Sequence, residues 1–428
     1  QVRTNGMPLK RKQAFLEIAV KRAKQMVYGV PENEFDGDAV LKLEEDNLVR
    51  RDLNSSLVSP AHDVLEDWAL EHYIESIYQR YSSNPQEFLN QIGHEPAINR
   101  AFRMWLYQKL KYGENVNDFV YSVLNNQNIK RYWQDETISA VLQGNNPDEF
   151  LKLLKDQLFL NGGELLKRFC FILRIACQTP DQTIASTVNK DNEDALVDAL
   201  FLKPYGQGWK ALISFLLEEK KSLAKALTPH ITAVLNDWTS VLHLDKPLPA
   251  MAREVGLLAL YLLDDLKESY GDDRDAKKLL SIVLKTVSVI QEEFEYLLET
   301  DVFIAKVGSR KRRPHYVNDL CEKVFSGFES AFLCKYNPDT LIKLAYFEWL
   351  IQESNKEDEP RYWSRIEVAE CFGLHEHRYT FFPASGAKGP FRNLLYYHPK
   401  KGLDFILDLL NVTADKYAHS DLDYPRES

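Results

Sequence analysis

The chain has 428 residues, 45% hydrophobic and 12% aromatic, which is enough apolar surface for a large core spread over two or more domains. Its formal net charge of −10 argues against a broad nucleic-acid or acidic-membrane surface, because phosphate binding needs clustered cations. No apolar run reaches the ~20 residues of a membrane span and no signal peptide is legible, while five cysteines in apolar helical settings point to reduced thiols in a cytoplasm.

The sequence opens on Gln1 rather than Met, so a piece of a longer protein is expected. A first helix is predicted from about Lys10 to Tyr28, followed by a turn at Val30-Pro31. A short amphipathic helix should follow from Ala39 to Asp46, with Val40, Leu41 and Leu43 on its apolar side. Two β-type runs come next, Leu48 to Arg51 and Ser56 to Val58, split by the turn residues Leu53-Asn54-Ser55. Ser59 as N-cap, Pro60 at the first helical position and Asp63 in the first turn then announce another helix. Helix, small hairpin, helix is the pattern of a winged-helix module, assigned here to residues 1–80.

Helical periodicity dominates the rest. The strongest segments are Ile98–Leu110, Pro147–Phe159, Gly163–Cys177, Trp209–Leu217, Met251–Leu266, Ala276–Leu298, Val317–Leu333 and Pro338–Ile351. Trp68, Trp105, Trp238 and Trp349 lie within apolar helical patterns and are expected to be buried. X-Pro pairs such as Asn84-Pro85, Asn146-Pro147 and Asn337-Pro338 introduce several helices, but their spacing is too irregular for a tetratricopeptide or ankyrin repeat. The expected fold class is mainly α. A winged-helix module leads into an irregular HEAT-like α-helical solenoid of paired antiparallel helices over residues 81–375, and a loop and helical segment close the chain over 376–428.

The run Ala61-His62-Asp63-Val64-Leu65-Glu66-Asp67-Trp68-Ala69 carries a family resemblance. In STAND-type (NLR-like) ATPases, a helix of the winged-helix domain opens with a Met-His-Asp-like motif before an apolar run. This segment resembles that helix, with Ala61 departing at the Met position. Phe381 to Leu410 is similar to a segment of large bacterial antiviral STAND proteins. The resemblance implies a non-catalytic regulatory or sensor segment of an antiphage protein, whose own upstream ATPase domain would hold ATP or ADP with Mg. His62 would then touch the ADP phosphate, with Asp63 as a capping or orienting carboxylate. It further implies a protein ligand, with a phage protein as one candidate, and homo-oligomerisation on activation. A helix start suits such a contact, because its unpaired N–H groups and positive dipole end attract phosphate.

Chemistry within the chain itself is sparse. No Gly-x-x-x-x-Gly-Lys-Ser/Thr loop is present, and Ser385-Gly386-Ala387-Lys388-Gly389 runs straight into Pro390, so neither a bound cofactor nor enzymatic activity is expected of this chain alone. His375-Glu376-His377 invites a zinc reading but lacks a third and fourth ligand, His398 and Cys371 being near only in sequence, so no metal is expected. Cys170 and Cys177 share an apolar helix face and read as core, as do Cys321 and Cys334. Arg310-Lys311-Arg312-Arg313, between Gly308 and Pro314, is the densest basic run and a candidate contact for a ligand or partner. The would-be recognition helix sets Glu44, Glu45 and Asp46 against Lys42, which disfavours DNA, although Arg50 and Arg51 on the wing soften that objection. Three alternatives stay open: an unrelated helical scaffold or adaptor, a winged-helix DNA-binding regulator, and a metal-dependent enzyme centred on His375 and His377.

Overall fold

The computed structural model describes residues 6–52, 54–181, 202–267, 274–303, 315–326, 329–350 and 391–418. They are mainly helical, and the chain divides into two units, Gln1–Phe215 and Leu216–Ser428. Residue 375, the expected end of the solenoid, lies outside the described residues.

The first unit opens with α1 (Met7–Gln25), which buries Ala14, Ile18, Ala19 and Ala23. It stops three residues before the expected Tyr28, because Met26 turns left-handed at φ 53° and its N–H returns to the Ala23 carbonyl. The turn expected at Val30-Pro31 is instead a two-residue strand, β1, whose Val30 pairs with Val58. Next comes α2 (Gly37–Glu45), capped by Asp36, whose carboxylate accepts from the Ala39 N–H at 3.0 Å. Its Ala39, Val40 and Leu43 join Ile18, Val30, Val49 and Val58 in one small core, whereas Leu41 faces outward at 46% exposure. Strands β2 (Val49–Asp52) and β3 (Leu57–Pro60) complete an antiparallel sheet of order β1-β3-β2.

The helix expected to begin at Ser59-Pro60 begins later. Ser59 pairs with Arg50 and Pro60 with Val49, and the Ala61 N–H donates to the Leu48 carbonyl at 2.9 Å. Backbone committed to a ladder has no freedom left for a helical turn, so α3 (Asp63–Tyr81) starts only once the strand is over.

From α3 onward long helices alternate with short ones. The long ones are α3, α5 (Pro96–Lys111), α7 (Arg131–Gln143) and α10 (Glu164–Ala176). Between them lie α4 (Pro85–Ile92), α6 (Asn117–Asn125), α8 (Pro147–Leu153) and α9 (Lys155–Phe159). Each long helix packs on the next. Asp67 meets Arg100, Asp135 meets Arg168, and Gln143 donates to the Ala176 carbonyl, three links that each join residues 33 apart. Partners that advance together along both helices make α7 and α10 run in the same direction, so the short helices carry the chain back. An interior of rings fills the first seam: Phe88, Phe102, Trp105 and Phe119 lie within 6.4 Å of one another by centroid. The single helix expected over 147–159 breaks at Leu154. A two-stranded ribbon, β4 (Gln178–Pro180) with β5 (Leu202–Pro204), was not anticipated at all.

In the second unit the helix expected over Ala276–Leu298 is divided. Arg274–Lys285 is α-helical, Val287–Val289 is a 3-10 turn, and Gln291–Leu297 is α-helical again. The buried Thr286 hydroxyl bonds back to the Ile282 and Val283 carbonyls, and β-branched Val287, Val289 and Ile290 follow it, a combination that weakens helical continuation. That bend packs against Gly256, where a Cβ would stand 2.6 Å from Thr286 Oγ1. The segment expected as Val317–Leu333 is two helices, His315–Ser326 and Ser330–Tyr336.

Candidate functional site: the α3 helix start and the α3–α5 cleft

His62 is the N-cap residue of α3, with extended backbone and no capping bond from its side chain. Both His62 and Asp63 are exposed. The His62 carbonyl accepts from Leu65 and Glu66, which opens the helix in the ordinary way. Just inside, two acids are drawn into the protein. Glu66 is 4% exposed and pairs with Arg22 of α1, and Asp67 holds Arg100 of α5 at 2.6 and 2.9 Å. The first turn of α3 is therefore clamped from both sides while its leading edge faces solvent.

One turn further along, α3 and α5 form the walls of an open cleft of about 400 Å³. Trp68, Glu71, His72 and Glu75 come from α3, and Trp105, Gln108 and Lys109 from α5, with Tyr112 and Glu114 just beyond it. Trp68 was expected to be buried. It is 59% exposed, because the apolar residues of α3 run nearly all the way round and the core claims Ala69, Leu70 and Ile74 instead. Trp105 and Trp238 are buried as expected, at 4% and 7% exposure, and the side chain of Trp349 lies outside the described residues.

Charge in the cleft is unevenly satisfied. Glu75 accepts from Trp105 Nε1 at 2.7 Å and pairs with Lys109 at 2.9 Å. Burial alone would raise the Glu75 carboxyl, but the bonds from Trp105, Lys109 and Gln79 outweigh it and hold it below the usual range. Lys109 also reaches Glu114 at 2.5 Å. Glu71 fares worse. Its Oε2 accepts from Gln108 at 2.7 Å, while its Oε1 is shielded from water with no donor. Burial, opposed by Gln108 and aided by Asp67, pushes its carboxyl above the ordinary value.

The sequence carries one faint sign of this cleft. That sign is the pair Glu71 and Glu75 at i and i+4, like charges on one helix face that call for a cation from elsewhere.

The other sequence candidates separate. Arg310, Lys311, Arg312 and Arg313 lie outside the described residues, as do His375, His377, Cys371 and the Ser385–Gly389 loop. His398 stands with Nε2 at 2.9 Å from the Lys335 carbonyl, to which its N–H donates. Cys170, Cys177 and Cys334 are buried, and burial pushes each thiol up to about 12, which suits packing and not redox chemistry. Among the described residues, no group of three or more His, Cys, Asp or Glu is placed to hold a metal ion. No described helix is long and apolar enough to cross a membrane.

Of the two cations that soften the case against DNA, Arg51 is engaged. It pairs with Glu32 at 2.7 Å and Glu44 at 3.3 Å; Lys42, though exposed, pairs with Glu45 at 2.5 Å, and Arg50 is exposed. No protein-family model matches the chain, and a search of curated proteins returns no match.

Proposed function

We propose that this chain is the regulatory and ligand-sensing part of a STAND-type ATPase in antiphage defence. Residues 1–80 act as the winged-helix module, residues 81–375 as a HEAT-like array that binds a protein ligand, and 376–428 as a closing segment. The observation that carries the reading is His62, exposed at the N-cap of α3 with its side chain uncommitted, on a helix whose next turn is fixed to α1 and α5. A histidine so placed is available to an anion brought by a separate domain, and the helix end adds its own favourable field. ADP with Mg would belong to the ATPase domain; ligand binding and ATP for ADP exchange would release the module and permit oligomerisation.

An unrelated helical scaffold is the second reading, favoured by the 33-residue step between tied long helices, a spacing within the range of stacked helical arrays. One experiment separates them. In the full-length protein, His62→Ala should speed ADP release by about 10- to 100-fold, the worth of one charge-assisted bond lost from the resting state. Activity without a trigger should accompany it. Unchanged ADP dissociation in a folded variant would favour the scaffold.

A further inference from the structure

We infer that the α3–α5 cleft receives an arginine side chain presented by a protein partner. The inference deepens the ligand-binding half of the proposed function and needs none of its nucleotide half.

Three observations converge on that chemistry. First, the lining sets three carboxylates, Glu71, Glu75 and Glu114, against one ammonium, and Lys109 is already divided between two of them. The third, Glu71, has a shielded oxygen that lacks a donor. A buried acceptor without a partner is a standing cost, and a turn of the Glu71 carboxyl toward the groove lets an incoming N–H remove it. Second, Trp68 and Tyr112 both line the cleft with more than half of their surface in water, at 59% and 74% exposure. Aromatic faces beside carboxylates attract a cation, and a planar guanidinium satisfies both at once by stacking on a ring while its fork meets an oxygen pair. An ammonium lacks the plane, and a nucleic-acid phosphate has the wrong sign. Third, the cleft is an open groove between two parallel helices and not a closed cavity, so it is shaped to take a side chain that projects from another polypeptide.

The residues involved are separable from the fold. Trp68 is mostly exposed, and Glu71 makes a single side-chain hydrogen bond, so Trp68→Leu and Glu71→Gln should both leave the unfolding midpoint nearly unchanged.

The test titrates the full chain with a capped peptide carrying two arginines among glycines, and with the same peptide in which citrulline replaces arginine. Binding is followed by calorimetry and by indole emission. The expected result is an arginine peptide bound at least about tenfold more tightly than its citrulline twin, with weaker binding at higher salt. Trp68→Leu should remove most of the emission change, Trp105 being buried, and Glu71→Gln should weaken binding about tenfold. Equal binding of the two peptides, or arginine binding that survives both substitutions in folded protein, overturns the inference. Because the peptide reports on the cleft and ADP release reports on His62, failure of one leaves the other standing.

Discussion

The seam between α3 and α5 and the seam between α7 and α10 are built on one plan. In each, a long helix lies parallel to the next, and an aspartate on the first takes the guanidinium of an arginine 33 residues on. Arg168 grips both oxygens of Asp135, whereas Arg100 crowds onto one oxygen of Asp67. Beyond those ties the seams part company. At α7–α10 the next link is neutral, Gln143 to the Ala176 carbonyl, and the cation–ring contacts stay on one helix each, Lys130 over Tyr132 at the start of α7 and Arg168 over Phe171 on α10. The α3–α5 seam carries charged groups along its whole length and opens into a cleft lined by carboxylates and exposed rings. Since the same packing is achieved without these features, they are not requirements of the fold. A departure of this kind from otherwise shared geometry is where function is most economically sought.

The interior of the first seam should carry most of its stability. Phe102 is fully buried among Phe88, Trp105, Phe119 and Trp133, with Trp133 edge-on at 4.9 Å. Phe102→Ala should lower unfolding free energy by about 3–5 kcal/mol in urea titration. A loss below about 1 kcal/mol would mean that the rings are not a joint core and would break the comparison at its base.

The ties themselves are expected to be alike. Asp67→Ala and Asp135→Ala should each cost about 1 kcal/mol, because the arginine partners keep considerable contact with water, at 43% and 36% side-chain exposure. Thermal unfolding of the two variants at matched ionic strength checks this. A large difference between them would show that the seams share geometry without sharing energetics.

The smallest effect belongs to Glu71 and has an unusual sign. Burial raises its carboxyl above the unfolded value, so the native state is favoured when Glu71 is protonated and loses that advantage as pH rises through the raised value. Glu71→Gln removes the penalty. The variant should match the natural protein in acid and become slightly more stable toward neutrality, by about 0.5 kcal/mol. Denaturant midpoints compared across pH read the difference, and a variant that loses stability toward neutrality would show that the shielded oxygen has a donor after all.

Sequence pattern revealed the elements better than their neighbours. Helix α5 follows the 3.6-residue period, and the helix Pro338–Leu350 follows that period and its Asn337-Pro338 signal, because such signals are local. Strand β1 has only two residues, too few to show any alternation, and takes its identity from β3 across the sheet. Ser59 and Pro60 wear the chemistry of a helix start but are held by Arg50 and Val49, partners that lie beyond a turn. Trp68 was misjudged for a related reason. With Val64, Leu65, Ala69 and Leu70 around it, α3 offers more than one apolar face, and only packing against α1 and α5 decides which one the core takes. The cleft was harder still, since its two walls come from helices whose matching residues stand 30 to 37 positions apart. His62 was legible as a helix start, though as the cap itself and not as a residue inside the first turn.

The 33-residue step between tied partners also has a meaning in time. A ribosome adds about 5–20 residues per second, so each long helix waits only a few seconds before its partner emerges. Contacts this local close quickly compared with pairings between distant parts of a chain. The growing polypeptide can therefore shelter its apolar faces one seam after another during synthesis, with a single unfinished edge exposed at any moment.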